Sequence, residues 1–152
     1  MIGCKIYHKT TCKNSIEWAK SRINRDSDGT VYLVDKMDIA KGRQNRQWIV
    51  QPGQLLLTML LKPKNLNNQN NIFLNMAFSL AVFNSIKSYG IKLKWPNDFV
   101  INQKKVGGIV FEFIWKGSTV SAVIVGFALN INNSNFENEL QNIAKSVIQY
   151  YL

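Results

Sequence analysis

The sequence predicts a single α+β domain in which a mixed, mostly antiparallel β-sheet is covered by helices. β-rich stretches of strand length recur along the chain, and two of the later ones flank a Lys-Gly-Ser turn. One long apolar stretch and two N-capping patterns predict the helices. A chain of 152 residues with 46% hydrophobic residues can bury one core, so we expect one domain over residues 1–152.

The first predicted helix begins after Asn14. Asn14 and Glu17 have the spacing of a capping box. The apolar residues that follow share one helical face: Ile16, Ala19 and Ile23. Residues 26–29, Asp-Ser-Asp-Gly, then predict a turn, and residues 31–34 predict a strand.

The middle of the chain predicts a central strand and a buried helix. Residues 55–61 form a continuous apolar run of strand length, which is typical of a strand covered on both faces. The Asn-rich residues 65–71 indicate a surface loop. Residues 72–89 are apolar almost all round, and Gly90 follows where a left-handed residue commonly ends a helix.

The last third of the chain predicts four strands and a final helix. Alternation or β-rich composition marks the strands at residues 91–95, 99–101, 106–115 and 120–129. Ser134 and Glu137 have capping-box spacing. A helical stripe then continues to the C-terminus through Leu140, Ile143, Val147 and Tyr151.

Composition excludes several classes of protein. No apolar run approaches the ~20 residues needed to cross a bilayer, and the first residues lack a signal-peptide pattern, so we expect a cytoplasmic protein without a membrane partner. The two cysteines and one histidine suggest neither a disulfide framework nor a zinc site. The net charge of +10 favours an anionic partner. A nucleic acid is one candidate, but we find no DNA-binding motif and expect no DNA partner.

Residues 40–48 form a basic loop that suits a nucleotide. Lys41, Arg43 and Arg46 stand beside Gly42 and before Trp48. Guanidinium groups bind phosphate oxygens, glycine lets the backbone approach closely, and an indole offers a stacking face for a purine. An ordinary solvated basic loop is an equal alternative from these residues alone.

Two further polar segments could line a pocket. Residues 94–98, Lys-Trp-Pro-Asn-Asp, end a strand in a turn, and Lys105 precedes the paired Gly107 and Gly108 at the start of the next β-rich stretch. Glycines inside a strand often mark a close approach by a ligand or another backbone. The chain has no P-loop and no Rossmann fingerprint, so a nucleotide would have to bind in another way.

Taken in chain order, these three segments and a fourth near residue 130 resemble the biotin protein ligase family. The pattern of that family is GRGRxGRxW, KWPND, KxxGI and GxGxN. The last motif corresponds to Gly126 through Asn130. The resemblance implies a class II aminoacyl-tRNA synthetase-like catalytic domain, without the DNA-binding domain or the C-terminal barrel of longer members. It also implies ligation in two steps: biotin and Mg-ATP form biotinyl-adenylate, and a carrier-domain lysine of a carboxylase then takes the biotin.

Site roles follow from the same resemblance. Lys105, Arg43 and Asp98 correspond to catalytic residues, and Asp98 also to a Mg²⁺ ligand. The positions that correspond to ATP or adenylate contacts are Arg43, Arg46, Trp48, Lys105 and Asn130. Those that correspond to the biotin side are Thr11, Cys12, Asn14, Lys41, Gly107 and Gly108.

The sequence departs from the family pattern mainly on the acid side. Ala40 and Lys41 replace the initial Gly-Arg of the loop, and Met37 or Asp38 replaces the usual glutamine. A related ligase for lipoate or another acid, and a catalytically reduced nucleotide-binding protein, therefore stay as alternatives. The positive charge predicts an acidic carrier domain as the acceptor. The subunit could also form a homodimer.

Overall fold

The computed structural model describes residues 1–42, 47–64, 66–67, 70–133, 136 and 140–151. The predicted loop residues Arg43 and Arg46, and the second capping pair Ser134 and Glu137, lie outside this part of the chain. The side chain of Lys41 is not described either. Within the described residues, no helix is both long and apolar enough to cross a membrane.

The chain forms a mixed α+β fold. The strands are β1 (Ile6–Cys12), β2 (Thr30–Met37), β3 (Ala40–Lys41), β4 (Gln47–Trp48), β5 (Gln54–Leu61), β6 (Lys92–Lys94), β7 (Asp98–Ile101), β8 (Lys104–Lys116) and β9 (Thr119–Asn130). The helices are α1 (Ser15–Lys20), α2 (Asn71–Ile86), α3 (Leu140–Ile143) and α4 (Ile148–Tyr151), and a 3₁₀ turn at Lys87–Tyr89 extends α2.

The main sheet has seven strands in the order β1-β2-β5-β9-β8-β7-β6. Only β1 and β2 pair in parallel, and the other neighbours are antiparallel. Parallel neighbours need a crossover connection, and α1 lies between these two strands in the chain. β3 and β4 form a separate two-stranded ribbon. The predicted mixed, mostly antiparallel sheet is confirmed.

The two faces of the sheet carry different cores. Side chains alternate along a strand, so Ile124 of β9 packs on one face with α1 residues such as Ile16 and Ala19. Val123 and Val125 face the other way and join the larger cluster, against which Phe78 and Val82 of α2 pack. The sheet is therefore covered by a different helix on each face.

α1 begins as predicted because Asn14 caps it. The Asn14 side chain accepts hydrogen bonds from the backbone N–H groups of Ile16 at 2.9 Å and Glu17 at 3.0 Å. Its Nδ2 donates to the Ile39 carbonyl at 3.2 Å, which ties the start of the helix to the residues between β2 and β3. These bonds place the N-terminal end of α1 beside the loop that leads to β3.

Three sequence predictions of local structure were wrong or incomplete. β1 was not predicted, because it is an edge strand whose side chains are mostly exposed and polar. α2 was predicted to be buried, but Ile72, Phe73 and Leu80 are more than half exposed. The predicted C-terminal helix is two short helices, because Ala144 bridges to Lys105 and the Val147 N–H donates to the Asn130 carbonyl.

Candidate active site

One cavity of about 670 Å³ opens where β5, β7, β8 and β9 meet the N-terminal end of α1. This volume is in the range of small-molecule sites. Most of its wall comes from strand residues, so the sheet holds the wall rigidly. The segment around Asn142 and Ala144 closes another side. The described residues on the wall include several that the sequence predicted: Asn14, Trp48, Asp98, Lys105, Gly108 and Asn130.

Lys105 and Asp98 form an ion pair on the wall. Lys105 Nζ donates to Asp98 Oδ1 at 2.7 Å, and both side chains stay partly exposed. Gly108 lies directly across the ladder from Asp98. A Cβ at position 108 would lie 3.3 Å from Asp98 Oδ1 and 3.4 Å from Lys105 Nζ. The missing side chain of Gly108 therefore makes room for the pair.

The turn that carries Asp98 is pinned to β8 by Asn97. Asn97 Nδ2 donates to the Ile109 carbonyl at 2.9 Å, and the Ile109 N–H donates back to the Asn97 carbonyl at 2.9 Å. Lys94 and Asn97 also line the cavity. The predicted Lys-Trp-Pro-Asn-Asp segment is thus a wall of the site, with its position set by two backbone contacts to the neighbouring strand.

Trp48 lies beside Lys105 of the ion pair. Antiparallel pairing of Ala40 with Trp48 in the β3–β4 ribbon places the indole there. Lys105 Nζ is 5.6 Å from the centroid of the indole ring, a cation–π distance. The Trp48 N–H is buried and has no hydrogen-bond acceptor among the described residues. An aromatic face and a cation therefore border the same space.

A second part of the wall combines hydroxyl groups with a sulfur atom. Ser15 Oγ and Thr58 Oγ1 are buried and 2.7 Å apart. The Ser15 backbone N–H donates to Met37 Sδ at 3.1 Å, and Met37 also lines the cavity. Ser15 and Thr58 were missed from the sequence because isolated hydroxyl residues carry no spacing signal.

Some predicted residues are not among the described residues that line the cavity: Thr11, Cys12 and Gly107. Thr11 and Cys12 belong to edge strand β1, where they pair with Lys36 and Met37. Gly107 faces the backbone of β9, since a Cβ there would lie 2.8 Å from the Ala128 carbonyl oxygen. The structure thus supports a packing role for Gly107.

Asn130 lines the cavity, but both polar atoms of its side chain bond within the protein. Gln54 Nε2 donates to Asn130 Oδ1 at 2.9 Å, and Asn130 Nδ2 donates to the Lys145 carbonyl at 3.1 Å. Gln54 lies directly opposite Asn130 in the β5–β9 ladder. Sequence analysis did not identify Gln54, because its position beside Asn130 depends on strand pairing.

The charge of the wall favours an anion. Lys94 and Lys105 contribute cationic groups, whereas Asp98 is the one carboxylate among the described lining residues. The described residues contain no group of three or more His, Cys, Asp or Glu side chains that could hold a metal ion by themselves. A metal at this site would therefore have to bring most of its ligands with it, as a nucleotide triphosphate does.

Comparison with known proteins agrees with this geometry. Residues 8–130 match the model of the biotin/lipoate A/B protein ligase family. The "Bifunctional ligase/repressor BirA" of Bacillus subtilis is 34% identical over 153 residues, which cover 95% of this chain and 46% of that protein. The "Biotin--[acetyl-CoA-carboxylase] ligase" of Paracoccus denitrificans is 28% identical over 109 residues, 68% of this chain and 45% of that protein.

A solved structure shows the same fold. The biotin protein ligase of Aquifex aeolicus, in complex with biotin and ATP, superposes with a TM-score of 0.80 at 25% sequence identity, covering 97% of this chain and 61% of that one. The chain thus spans about half the length of the curated relatives. The class II synthetase-like fold expected from the resemblance is confirmed. With the family match over residues 8–130, the chain belongs to the biotin/lipoate A/B protein ligase family.

Proposed function

We propose that this protein is a biotin protein ligase. In the first step, a carboxylate oxygen of biotin attacks the α-phosphorus of ATP, the bond to the β-phosphate oxygen breaks, and pyrophosphate leaves. In the second step, a neutral lysine amine of the acceptor attacks the biotinyl carbonyl carbon, AMP leaves and the amine loses a proton. The observation that carries this proposal is the arrangement of Lys105 and Trp48 around one cavity.

Lys105 suits the place where negative charge accumulates. A carboxylate and a triphosphate repel each other, and a cation held between them lowers that barrier. The Asp98 contact and the β8 backbone hold Lys105 at the wall, so its charge needs little rearrangement. Trp48 would pack against the adenine, with Arg43, Arg46 and Asn130 on the nucleotide side. Asn14, Lys41 and Gly108 would lie on the acid side, where Thr11, Cys12 and Gly107 could act only through neighbouring residues.

Mg²⁺ would enter with the ATP phosphates. Asp98 is the described lining residue that could provide a carboxylate ligand, and it would then share its oxygens between the ion and Lys105. Mg²⁺ commonly binds through one or two carboxylates together with substrate phosphates and water. The residues present fit that arrangement.

The test is pyrophosphate release from ATP with a panel of carboxylic acids. We expect release that depends on biotin, with little release when no acid is added. Transfer should then label a lysine of a carrier domain. Binding of ATP without acid-dependent pyrophosphate release from any member of the panel would instead identify a catalytically reduced nucleotide-binding protein.

A different acid is the second candidate, and the Met37 contact favours it. Met37 lines the cavity with its sulfur bonded to the Ser15 N–H, so this side chain presents an apolar surface. An apolar wall suits a less polar tail than a ureido ring. Lipoate and octanoate therefore belong in the panel. Higher kcat/KM with either acid than with biotin would replace biotin in this proposal and leave the adenylation chemistry unchanged.

The proposed partners and location follow from charge and from the reaction. An acidic carrier domain of a carboxylase is the expected acceptor, and the ATP that the reaction consumes is available in the cytoplasm, where we expect the protein to act. Homodimer formation is a further part of the proposal. Within the described residues, β7 pairs with β8 only as far as Gly108, and Asn97 bonds to Ile109. Beyond Ile109, β8 has a strand partner, β9, on one edge, and its other edge could pair with a second copy of the chain. Light scattering of the purified protein measures the oligomeric state directly.

A further inference from the structure

Gln54 connects two sides of the cavity through a short series of hydrogen bonds. It is the first residue of β5, and its cross-strand partner Asn130 is the last residue of β9. Gln54 Nε2 donates to Asn130 Oδ1 at 2.9 Å. Asn130 is only 2% exposed, so the Asn130 end of this bond is shielded from water. The two carboxamides therefore form a rigid contact where both strands reach the site.

On one side, Gln54 holds the segment that follows Trp48. Gln54 Nε2 donates to the Ile49 carbonyl at 3.0 Å, and Gln54 Oε1 accepts from the Gln51 N–H at 3.1 Å. Both contacts lie within three residues of Trp48 along the chain. The Gln54 side chain thus fixes the segment after Trp48 to the start of β5, in addition to the β3–β4 pairing that holds Trp48 itself.

On the other side, Asn130 holds the C-terminal segment, which in turn contacts Lys105. Asn130 Nδ2 donates to the Lys145 carbonyl at 3.1 Å, and the Val147 N–H donates to the Asn130 carbonyl at 2.9 Å. The Lys145 N–H then donates to the Lys105 carbonyl at 2.9 Å. Hydrogen bonds therefore run from the residue after Trp48 to the backbone of Lys105.

We propose that Gln54 is a positioning residue that holds the Trp48 side of the cavity in register with the Lys105 side. The inference rests on the proposed adenylation, in which the nucleotide must touch both sides at once. Small errors in the placement of reacting groups cost large factors in rate. A glutamine is required because the position needs an N–H donor toward two carbonyl oxygens and an acceptor toward one N–H.

The kinetic test compares Gln54→Ala and Gln54→Glu with the parent. For Gln54→Ala we expect the KM for ATP to rise about tenfold, with a smaller change in the KM for the acid. In Gln54→Glu, a carboxylate would face the oxygens of Ile49 and Asn130, so ATP binding should also weaken. Protonation of this carboxylate restores one hydrogen-bond donor. The increase in the KM for ATP relative to the parent should therefore become smaller as the pH is lowered from about 8 to about 5.

Amide hydrogen exchange tests the coupling without using activity. In Gln54→Ala, exchange at Lys145 and Val147 should speed up about tenfold, because Asn130 loses the contact that holds it. Asn84→Ala is the matched control. It removes a carboxamide on α2 that bonds to the Lys87 side chain, and it should leave the exchange of those amides and the KM for ATP unchanged.

These outcomes separate the inference from the proposed function. A parent protein that releases no pyrophosphate would overturn the proposed function, while hydrogen exchange would still decide whether Gln54 couples the two sides. An active parent whose Gln54→Ala variant keeps both the KM for ATP and the exchange rates would overturn the positioning role. If Gln54→Ala does not fold, the pH dependence of the KM for ATP in Gln54→Glu decides whether Gln54 has the positioning role. An increase in this KM that stays constant across pH would count against the proposal.

Discussion

Lys105 Nζ lies 2.7 Å from Asp98 Oδ1, although the two residues are not opposite each other in the sheet. Asp98 pairs with Gly108, and Lys105 pairs with Val100. The lysine side chain therefore runs along the sheet and past Gly108, where no side chain blocks it. The ion pair and the nearby glycine form one unit, and several predictions depend on it.

Lys105→Ala should nearly abolish adenylate formation. In the proposed mechanism the change removes the cation beside the reacting carboxylate and phosphate, and the loss of one preorganised group of this kind typically lowers the rate by about 10²–10³. Pyrophosphate release measures the effect. Lys104→Ala is the control, because Lys104 is adjacent in β8 and is not one of the described lining residues. Near-normal release by Lys105→Ala would refute the assigned role.

Gly107→Ala and Gly108→Ala should have different consequences. A methyl group at position 107 would lie 2.8 Å from a backbone oxygen of β9, so the strand must shift. We expect a stability loss of about 1–3 kcal/mol, as for other overpacked cores. Urea unfolding followed by circular dichroism measures this loss.

At position 108 the nearest atoms are instead the Asp98 and Lys105 side chains, at 3.3 Å and beyond. These side chains can move, so Gly108→Ala should lower kcat for pyrophosphate release about tenfold with little change in stability. Unfolding and activity of both variants are measured together. Equal stability losses with equal activities would show that the two glycines have the same role.

Asp26 should make stability depend on pH. Its side chain is 1% exposed and accepts hydrogen bonds from Arg22 at 2.6 Å, Tyr32 at 2.7 Å and Tyr7 at 3.0 Å. The Arg22 guanidinium, more than any other group, holds the pKa of the Asp26 carboxyl well below its ordinary value of 3.8. Because the pKa is lower in the folded state, the carboxylate stabilises the fold at pH values above 3.8. This stabilisation is lost as the pH falls from 3.8 toward the lower pKa of the folded state.

Asp26→Asn should therefore destabilise the protein by about 3–5 kcal/mol at neutral pH, the range for removing one partner of a buried ion pair. The difference in free energy of unfolding between Asp26→Asn and the parent should become smaller as the pH falls below about 4. Urea unfolding across this range measures it. Asp35→Asn, which removes an exposed partner of His8, should cost less than about 1 kcal/mol. A similar loss from both substitutions would contradict the proposed importance of the buried cluster.

Transfer to the acceptor should be more sensitive to salt than adenylation. The net charge of +10 should speed the encounter with an acidic carrier domain, and salt screens exposed charges over about 10 Å at 0.1 M. Adenylation should change less, because its charges meet inside the cavity. We would measure both steps from low to moderate salt. A transfer rate that does not change with salt, or equal transfer to a basic domain, would show that the positive charge does not serve acceptor binding. Either result would favour a nucleic-acid partner.

Local patterns in the sequence predicted much of the fold. The Asn14 cap and the β8–β9 hairpin need only neighbouring residues, because capping geometry and side-chain alternation repeat over a few positions. The motif order also predicted that Trp48, Asp98 and Lys105 would share a site, and the structure places all three on one cavity.

Other features were decided by contacts between distant parts of the chain. β1 has little apolar alternation and forms a strand because it pairs with β2. The C-terminal helix breaks where Lys145 and Val147 bond to the backbones of Lys105 and Asn130. Gln54 lies beside Asn130, 76 residues away in the chain, only because β5 and β9 are neighbours. The sequence by itself thus determined the apolar strands and the motifs. Tertiary pairing decided the edge strand β1 and the polar groups that hold the two sides of the cavity together, because hydrogen bonds between distant strands have no local pattern.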